Sequence, residues 1–208
     1  MQAILDAIDA GDLPATVVGC VSDRPGAGAL DRARRRDCST AVRPPANYDT
    51  PESFGEALCD TLADWEANFI ALAGYLKKIP APVLHAYPNR ITNIHPSLLP
   101  AFGGAGMYGT RVHEAVLASG VHWTGVTVHL VNDAYDDGPI VAQQPVPVLP
   151  GDSVDALQQR VLAVEHQLYP AVLRQFARDR IRVEGRTVTV TDDSLSHPTA
   201  PAHAQPHD

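Results

Sequence analysis

The segment from 151 to 176, "GDSVDALQQRVLAVEHQLYPAVLRQF", constrains the fold more than any other. Val154, Leu157, Val161, Val164, Leu168 and Val172 recur at spacings of three and four, the period of one face of an α-helix. The Gly-Asp-Ser ahead of the run offers a side-chain cap for the first unpaired helical N–H groups. A helix with a single apolar stripe gains most of its stability from packing, so the stripe demands an apolar surface to lie on.

That surface is offered by short apolar runs elsewhere in the chain. "ATVVGCVS" (15–22), "CSTAVRP" (38–44), "NFIALAGYL" (68–76) and "RITNI" (90–94) read as strands bounded by turn residues. "GVTVHLV" (125–131) alternates, with Val126, Val128 and Leu130 on one face and Thr127 and His129 on the other. "PIVAQQPVPV" (139–148) is extended, and "IRVEGRTVTV" (181–190) reads as a hairpin. Helices are predicted at 1–10 (closed by Gly11), 29–37, 50–65 and 111–119. The third has Thr50 as cap and Pro51 at the first helical position, and Gly120 stops the fourth. Strands alternating with helices in the first half predict an α/β fold with a doubly wound, mostly parallel sheet. Residues 1–190 are expected to form one domain, and the polar, Pro-rich stretch 191–208 a disordered tail.

Charge and cysteine content narrow the function classes. A net charge of -8 disfavours general affinity for nucleic acid or an anionic membrane. Cys20, Cys38 and Cys59 are widely spaced and odd in number, which fits neither a zinc ribbon nor a disulfide framework and suits a reducing compartment. No run reaches the roughly 18 apolar residues of a membrane span. "MQAILDAIDAGD" is acidic and amphipathic, unlike a signal peptide. The expectation is a soluble cytoplasmic protein without a nucleic-acid or membrane partner.

Chemistry-bearing residues collect in the second half. Asn93 and His95 stand at i and i+2, so on a strand both point to one side. They fall where a parallel strand ends, the place where open α/β sheets bind ligands, and Pro96 prevents the ladder from continuing. Taken singly, Asn-x-His-Pro is more often the end of a strand than a site. Asp136 and Asp137 before Gly138 are ordinary turn chemistry by themselves, and His129 by itself is a satisfied core or rim group. Glu165 borders the apolar stripe of the long helix, where a carboxylate needs a partner from a ligand or from the protein.

In company these elements acquire a meaning. "NIHPSLLP", a Gly-rich loop, "GVTVHLV", an aspartate shortly before Gly-Pro, and "EHQLYP" follow one another in that order. Together they resemble the glycinamide ribonucleotide formyltransferases of purine synthesis, over about 1–176 and most specifically over 92–170. The resemblance implies an enzyme that transfers a formyl group from 10-formyltetrahydrofolate, its co-substrate, to the amino group of glycinamide ribonucleotide without a metal. It implies a nucleotide-binding half over 1–90 and a folate-binding, catalytic half over 91–190. It carries the catalytic roles onto Asn93, His95 and Asp136, with Asp137 standing where the family has glycine. Glu165, Pro96 and His129 correspond to ribonucleotide-side positions. Tyr75, Leu76, Lys77, Ile79, Val131 and Asp133 correspond to the folate pocket, with Lys77 in the place of a common arginine. A homodimer is a further possibility of the family.

The residue types suit the reaction. Amine attack on a formyl carbon creates an anionic oxygen, which N–H groups of Asn93 and His95 could bind, and a proton that Asp136 could carry. An acid beside His95 is expected to raise the imidazole pKa. The alternatives are another formyltetrahydrofolate-using enzyme (a hydrolase or a sugar-nucleotide formyltransferase) or a non-catalytic short form that binds folate. The absence of a basic C-terminal domain argues against a tRNA acceptor. The resemblance begins at the helix after the family's first strand and phosphate loop, and the native start is expected to lie upstream of Met1.

Overall fold

A computed structural model describes residues 1–191; all but the first residue of the predicted tail lies outside the described residues. The elements follow in the order α1 (Gln2–Asp9), β1 (Gly19–Ser22), α2 (Gly28–Arg34), β2 (Ser39–Val42), α3 (Pro51–Asp64), β3 (Ile70–Ala71) and α4 (Ala81–Ala86). The second half continues with β4 (Ile91–His95), α5 (Thr110–Ser119), β5 (Trp123–Leu130), β6 (Ile140–Pro147), α6 (Val154–Ala177), β7 (Ile181–Glu184) and β8 (Thr187–Val190).

The α/β class is as expected, but the sheets are mixed rather than mostly parallel. β1 and β2 pair in parallel as a two-stranded ladder, and β7 and β8 form an antiparallel hairpin. The central sheet has the order β3-β4-β5-β6, with β3 and β4 parallel and the two remaining pairings antiparallel. The parallel rule fails after β4 for a physical reason. The chain leaves the sheet at His95, makes a round trip through the Gly-rich loop and α5, and re-enters at the end it left. The loop after Leu130 then reverses β5 into β6. Helix α4, which carries a proline in its first turn, was not among the expected elements, and β3 is two residues long where 68–76 was expected.

Helix ends follow the sequence signals. The Thr50 hydroxyl accepts from the Ser53 N–H, and the Ser53 hydroxyl accepts from the Thr50 N–H, a reciprocal cap ahead of Pro51. Ser153 caps α6 by accepting from the Ala156 N–H, and Gly120 ends α5 in the left-handed conformation. Arg160 fastens the start of α6 with paired hydrogen bonds of 2.7 Å to both Asp152 carboxylate oxygens.

The stripe of α6 is the centre of the core. Leu157 and Val161 are fully buried against Val126 of β5, Val146 of β6 and Val112 and Val116 of α5. Further along, Tyr169, Val172 and Phe176 pack on Val128 and Leu130, and α1 covers them through Ile4 and Ile8. Each fully buried Val or Leu contributes about 1.5–3 kcal/mol. One face of β5 is therefore spent on the core, which leaves Thr127 and His129 on the other.

Candidate active site

The site is built on that second face. Asn93 and His95 point to the same side of β4, and the antiparallel register sets His129 opposite Asn93 and Thr127 opposite His95. The chain leaves the ladder at His95, where Pro96 follows. Thr127 holds the departing loop: its hydroxyl donates to the Ser97 carbonyl (2.7 Å) and accepts from the Leu99 N–H (3.0 Å) and the Gln143 amide (2.9 Å). A hydroxyl has one proton and two lone pairs, so this one is saturated and fixed.

The two histidines are oriented by carbonyls. His129 Nδ1 lies 2.8 Å from the Leu130 carbonyl, which can only accept, so Nδ1 carries a proton. In the neutral ring Nε2 is then an acceptor, and the Asn93 Nδ2–H donates to it at 3.2 Å. This leaves the second N–H of the Asn93 amide available to a ligand. By the same reasoning His95 donates from Nε2 to the Phe102 carbonyl at 2.9 Å, and its Nδ1 faces Asp136 at 3.5 Å.

Asp136 reaches this cluster through an unusual backbone. Its φ of 53° is left-handed, a conformation to which Asp and Asn are better suited than most residues. Gly138 permits the turn, because a Cβ there would lie 1.8 Å from the Leu130 carbonyl oxygen. One carboxylate oxygen accepts from the Gly104 N–H (2.9 Å) and sits near His95, while the other is 3.6 Å from His129 Nε2. Gly103 lets the loop come this close, since a Cβ there would lie 2.4 Å from Leu99 Cδ2 and 3.3 Å from Asp136 Cβ. Asp137 faces the other way, accepting from Asn132 and Arg186.

Electrostatics distinguish the members. Burial pushes the Asp136 carboxyl up, but His129, His95 and the Gly104 N–H outweigh it and hold the carboxyl below its ordinary value. Asp136 is therefore ionised at neutral pH. Burial pushes the His95 imidazole down, and Asp136 and the Phe102 carbonyl only partly offset this. The expected rise in His95 pKa is thus corrected: for a ring this deeply buried, desolvation outweighs the neighbouring charge.

These residues floor a cavity of about 530 Å³, and Glu165 of α6 lines it as well. Glu165 has no hydrogen bond or ion pair to protein among the described residues. Burial pushes its carboxyl up to about 7. Below its unfolded value of 4.5 it is protonated in both states and costs nothing. As pH rises from 4.5 to about 7 the folded protein must keep the proton or bury a charge, so stability falls across that window. Glu165→Gln is accordingly expected to match the parent near pH 4.5 and to be more stable above pH 7, by on the order of 2–3 kcal/mol. Thermal melts of both proteins from pH 4.5 to 8 check this, and a difference independent of pH would refute it.

The structure brings nearly all the sequence-predicted residues together. Asn93, His95, Pro96, His129, Asp136 and Glu165 line the cavity, as do Tyr75, Leu76, Lys77, Ile79 and Val131. Asp133 does not; it is exposed on the 131–138 loop, whose neighbours Asn132 and Ala134 take the lining positions. Sequence reasoning missed His113 of α5 and Gln158 and Leu162 of α6, which also line it. Their only sequence signal was helical phase beside the buried stripe.

Comparison with known proteins gives the family. Residues 1–173 match the family model described as "Formyl transferase". The chain is 43% identical over 181 residues to the chloroplastic phosphoribosylglycinamide formyltransferase of Vigna unguiculata, covering 86% of this chain and 58% of that protein. With the chloroplastic enzyme of Arabidopsis thaliana it shares 42% identity, covering 83% of this chain and 59% of the relative. The chain thus spans a little under three-fifths of the length of these two curated relatives. The crystal structure of glycinamide ribonucleotide transformylase 1 from Symbiobacterium toebii superposes with a TM-score of 0.86 at 43% identity, covering 92% of this chain and 88% of that one.

The chloroplastic relatives also correct the expected cytoplasmic location. Free thiols and an acidic surface suit any reducing aqueous compartment, so they never singled out the cytoplasm. Among the described residues no helix is long and apolar enough to cross a membrane.

Proposed function

The chain belongs to the formyl transferase family, and from that premise we propose that it transfers a formyl group from 10-formyltetrahydrofolate to the amino group of glycinamide ribonucleotide, a step of purine synthesis. The observation that carries this reading is the cluster of Asn93, His95, His129 and an ionised Asp136 on the floor of one cavity. Glu165 and the 75–79 segment line the same cavity, so both substrates would meet over the cluster.

In this reading each group has a task. The ribonucleotide's amine attacks the formyl carbon, and the carbonyl oxygen becomes an oxyanion. The second N–H of the Asn93 amide, the first being held by His129, is the preorganised donor for that oxygen. Attack leaves the nitrogen positively charged, and the Asp136 carboxylate, kept ionised in the free protein, accepts its proton. His95 is neutral, with its Nε2–H committed to Phe102 and its Nδ1 lone pair beside Asp136. It can take up the same proton at Nδ1 and, as imidazolium, stabilise the oxyanion. The proton then passes to the folate nitrogen as the carbon–nitrogen bond to it breaks.

Glu165 would accept hydrogen bonds from the ribose hydroxyls. Tyr75, Leu76, Lys77, Ile79 and Val131 would hold the folate, with Lys77 as a point charge toward its carboxylates. Pro96, which lines the cavity, would lie on the ribonucleotide side.

The test is an assay of the purified chain with formyl folate and each of three acceptors: glycinamide ribonucleotide, an amino-sugar nucleotide and water. Formylation of the ribonucleotide amine is expected. Formate release that ignores the amine, or preference for the amino sugar, would replace this reading with one of its rivals.

A further inference from the structure

Two buried polar groups of the cavity lack a protein partner among the described residues, the Tyr75 hydroxyl and His113, and His113 is the one that stands among the core valines of α5. On α5 the deeply buried positions are Val112, His113 and Val116, and the two valines belong to the core around Leu157 and Val161. A leucine at 113 would extend that apolar surface. Instead the chain places there an imidazole that is only 2% exposed and that lines the same cavity as Asn93 and His95. Its Nδ1 is buried without a partner, and among the described residues the ring makes no hydrogen bond to protein at all. The other two buried histidines of the site are held: His95 by Phe102, and His129 by Leu130 and Asn93, while His166, which also lines the cavity, is exposed. A buried polar group without a partner is rare in folded proteins and carries a desolvation cost that a leucine would avoid.

Resting on the formyl-transfer reading above, we propose that His113 is a further substrate-positioning residue, whose Nε2–H, on the ring nitrogen that is not sealed from the cavity, donates in the loaded cavity to the formyl oxygen or to a water bridging to it. The partner is thus a neutral oxygen acceptor rather than an anion. Burial and the adjacent His95 both press the His113 ring toward its neutral form, which offers one N–H donor. The ring approaches from α5, a different wall from Asn93 on β4, so the two donors would fix the formyl group from two directions. Orientation of this kind acts on the reaction and leaves folding of the free protein unaided.

A structural histidine would tie activity to stability, whereas a positioning one lets them part. With the full chain, kcat, KM and melting temperature are measured for the parent, His113→Leu and His113→Gln. The Leu variant is expected to melt at or above the parent temperature while its kcat falls by about 10-fold or more. The Gln variant, which keeps a donor, is expected to recover part of that loss. A Leu variant within about twofold of the parent kcat would overturn the inference and leave the formyl-transfer reading standing. Activity lost only in step with a lowered melting temperature, without recovery in the Gln variant, would overturn it too. An inactive parent would remove the formyl-transfer reading and this inference with it.

Discussion

Asp136→Asn is expected to lower kcat by about 10²- to 10⁴-fold while leaving KM for both substrates within a few-fold. The substitution changes little but the charge. Asn is at home at a φ of 53°, and its carbonyl oxygen can still accept from the Gly104 N–H, so the turn and the loop it pins should survive. What disappears is the one ionised carboxylate between His95 and His129. An amide cannot take the proton released when the amine attacks. Nor can it offset the charge that develops on His95, a ring that burial already presses toward neutrality. Steady-state kinetics with both substrates varied separate the two parameters, and a melting curve confirms the fold. A folded variant with kcat within about fivefold of the parent would remove Asp136 from the reaction. Asp137, one residue on, is an internal control: it points to Asn132 and Arg186, and Asp137→Asn should leave kcat nearly unchanged.

Asn93→Ala is the second large expected effect, a loss of about 10²- to 10³-fold in kcat, the scale for removing one preorganised donor to an oxyanion. The loss should fall on kcat more than on KM, because the formyl oxygen needs the donor most once it is charged. The substitution also deprives His129 Nε2 of its 3.2 Å partner, although the Nδ1 bond to Leu130 keeps the ring oriented. A drop confined to KM would mean that Asn93 binds the ground state alone, and the oxyanion role would be abandoned. The two substitutions touch one network, so the double variant is expected to lose less than the product of the single losses.

The long helix is legible in the sequence, because its stripe of Leu157, Val161 and Val172 repeats at the period of the α-helix and its Ser153 cap is local chemistry. The common direction of Asn93 and His95 is legible for the same reason, as is the division of β5 into a valine face and a Thr127/His129 face. Periodicity is a property of covalent geometry and survives any tertiary context. Family resemblance added the choice of Asp136, which the residues alone left as one of two aspartates in a turn.

Other features could only come from contacts between segments distant in the chain. Strand direction after β4 depended on which end of the sheet the long excursion through α5 returns to, and no local pattern encodes that. Which of two adjacent aspartates faces the histidines was fixed by a left-handed backbone held by a Gly104 N–H 32 residues away. The protonation balance of His95 depended on how deeply the fold buries it, and the isolation of His113 on which wall α5 came to form. Sequence set what each segment can present on a face; the tertiary structure decided which faces meet, because burial and hydrogen-bond pairing exist only once they do.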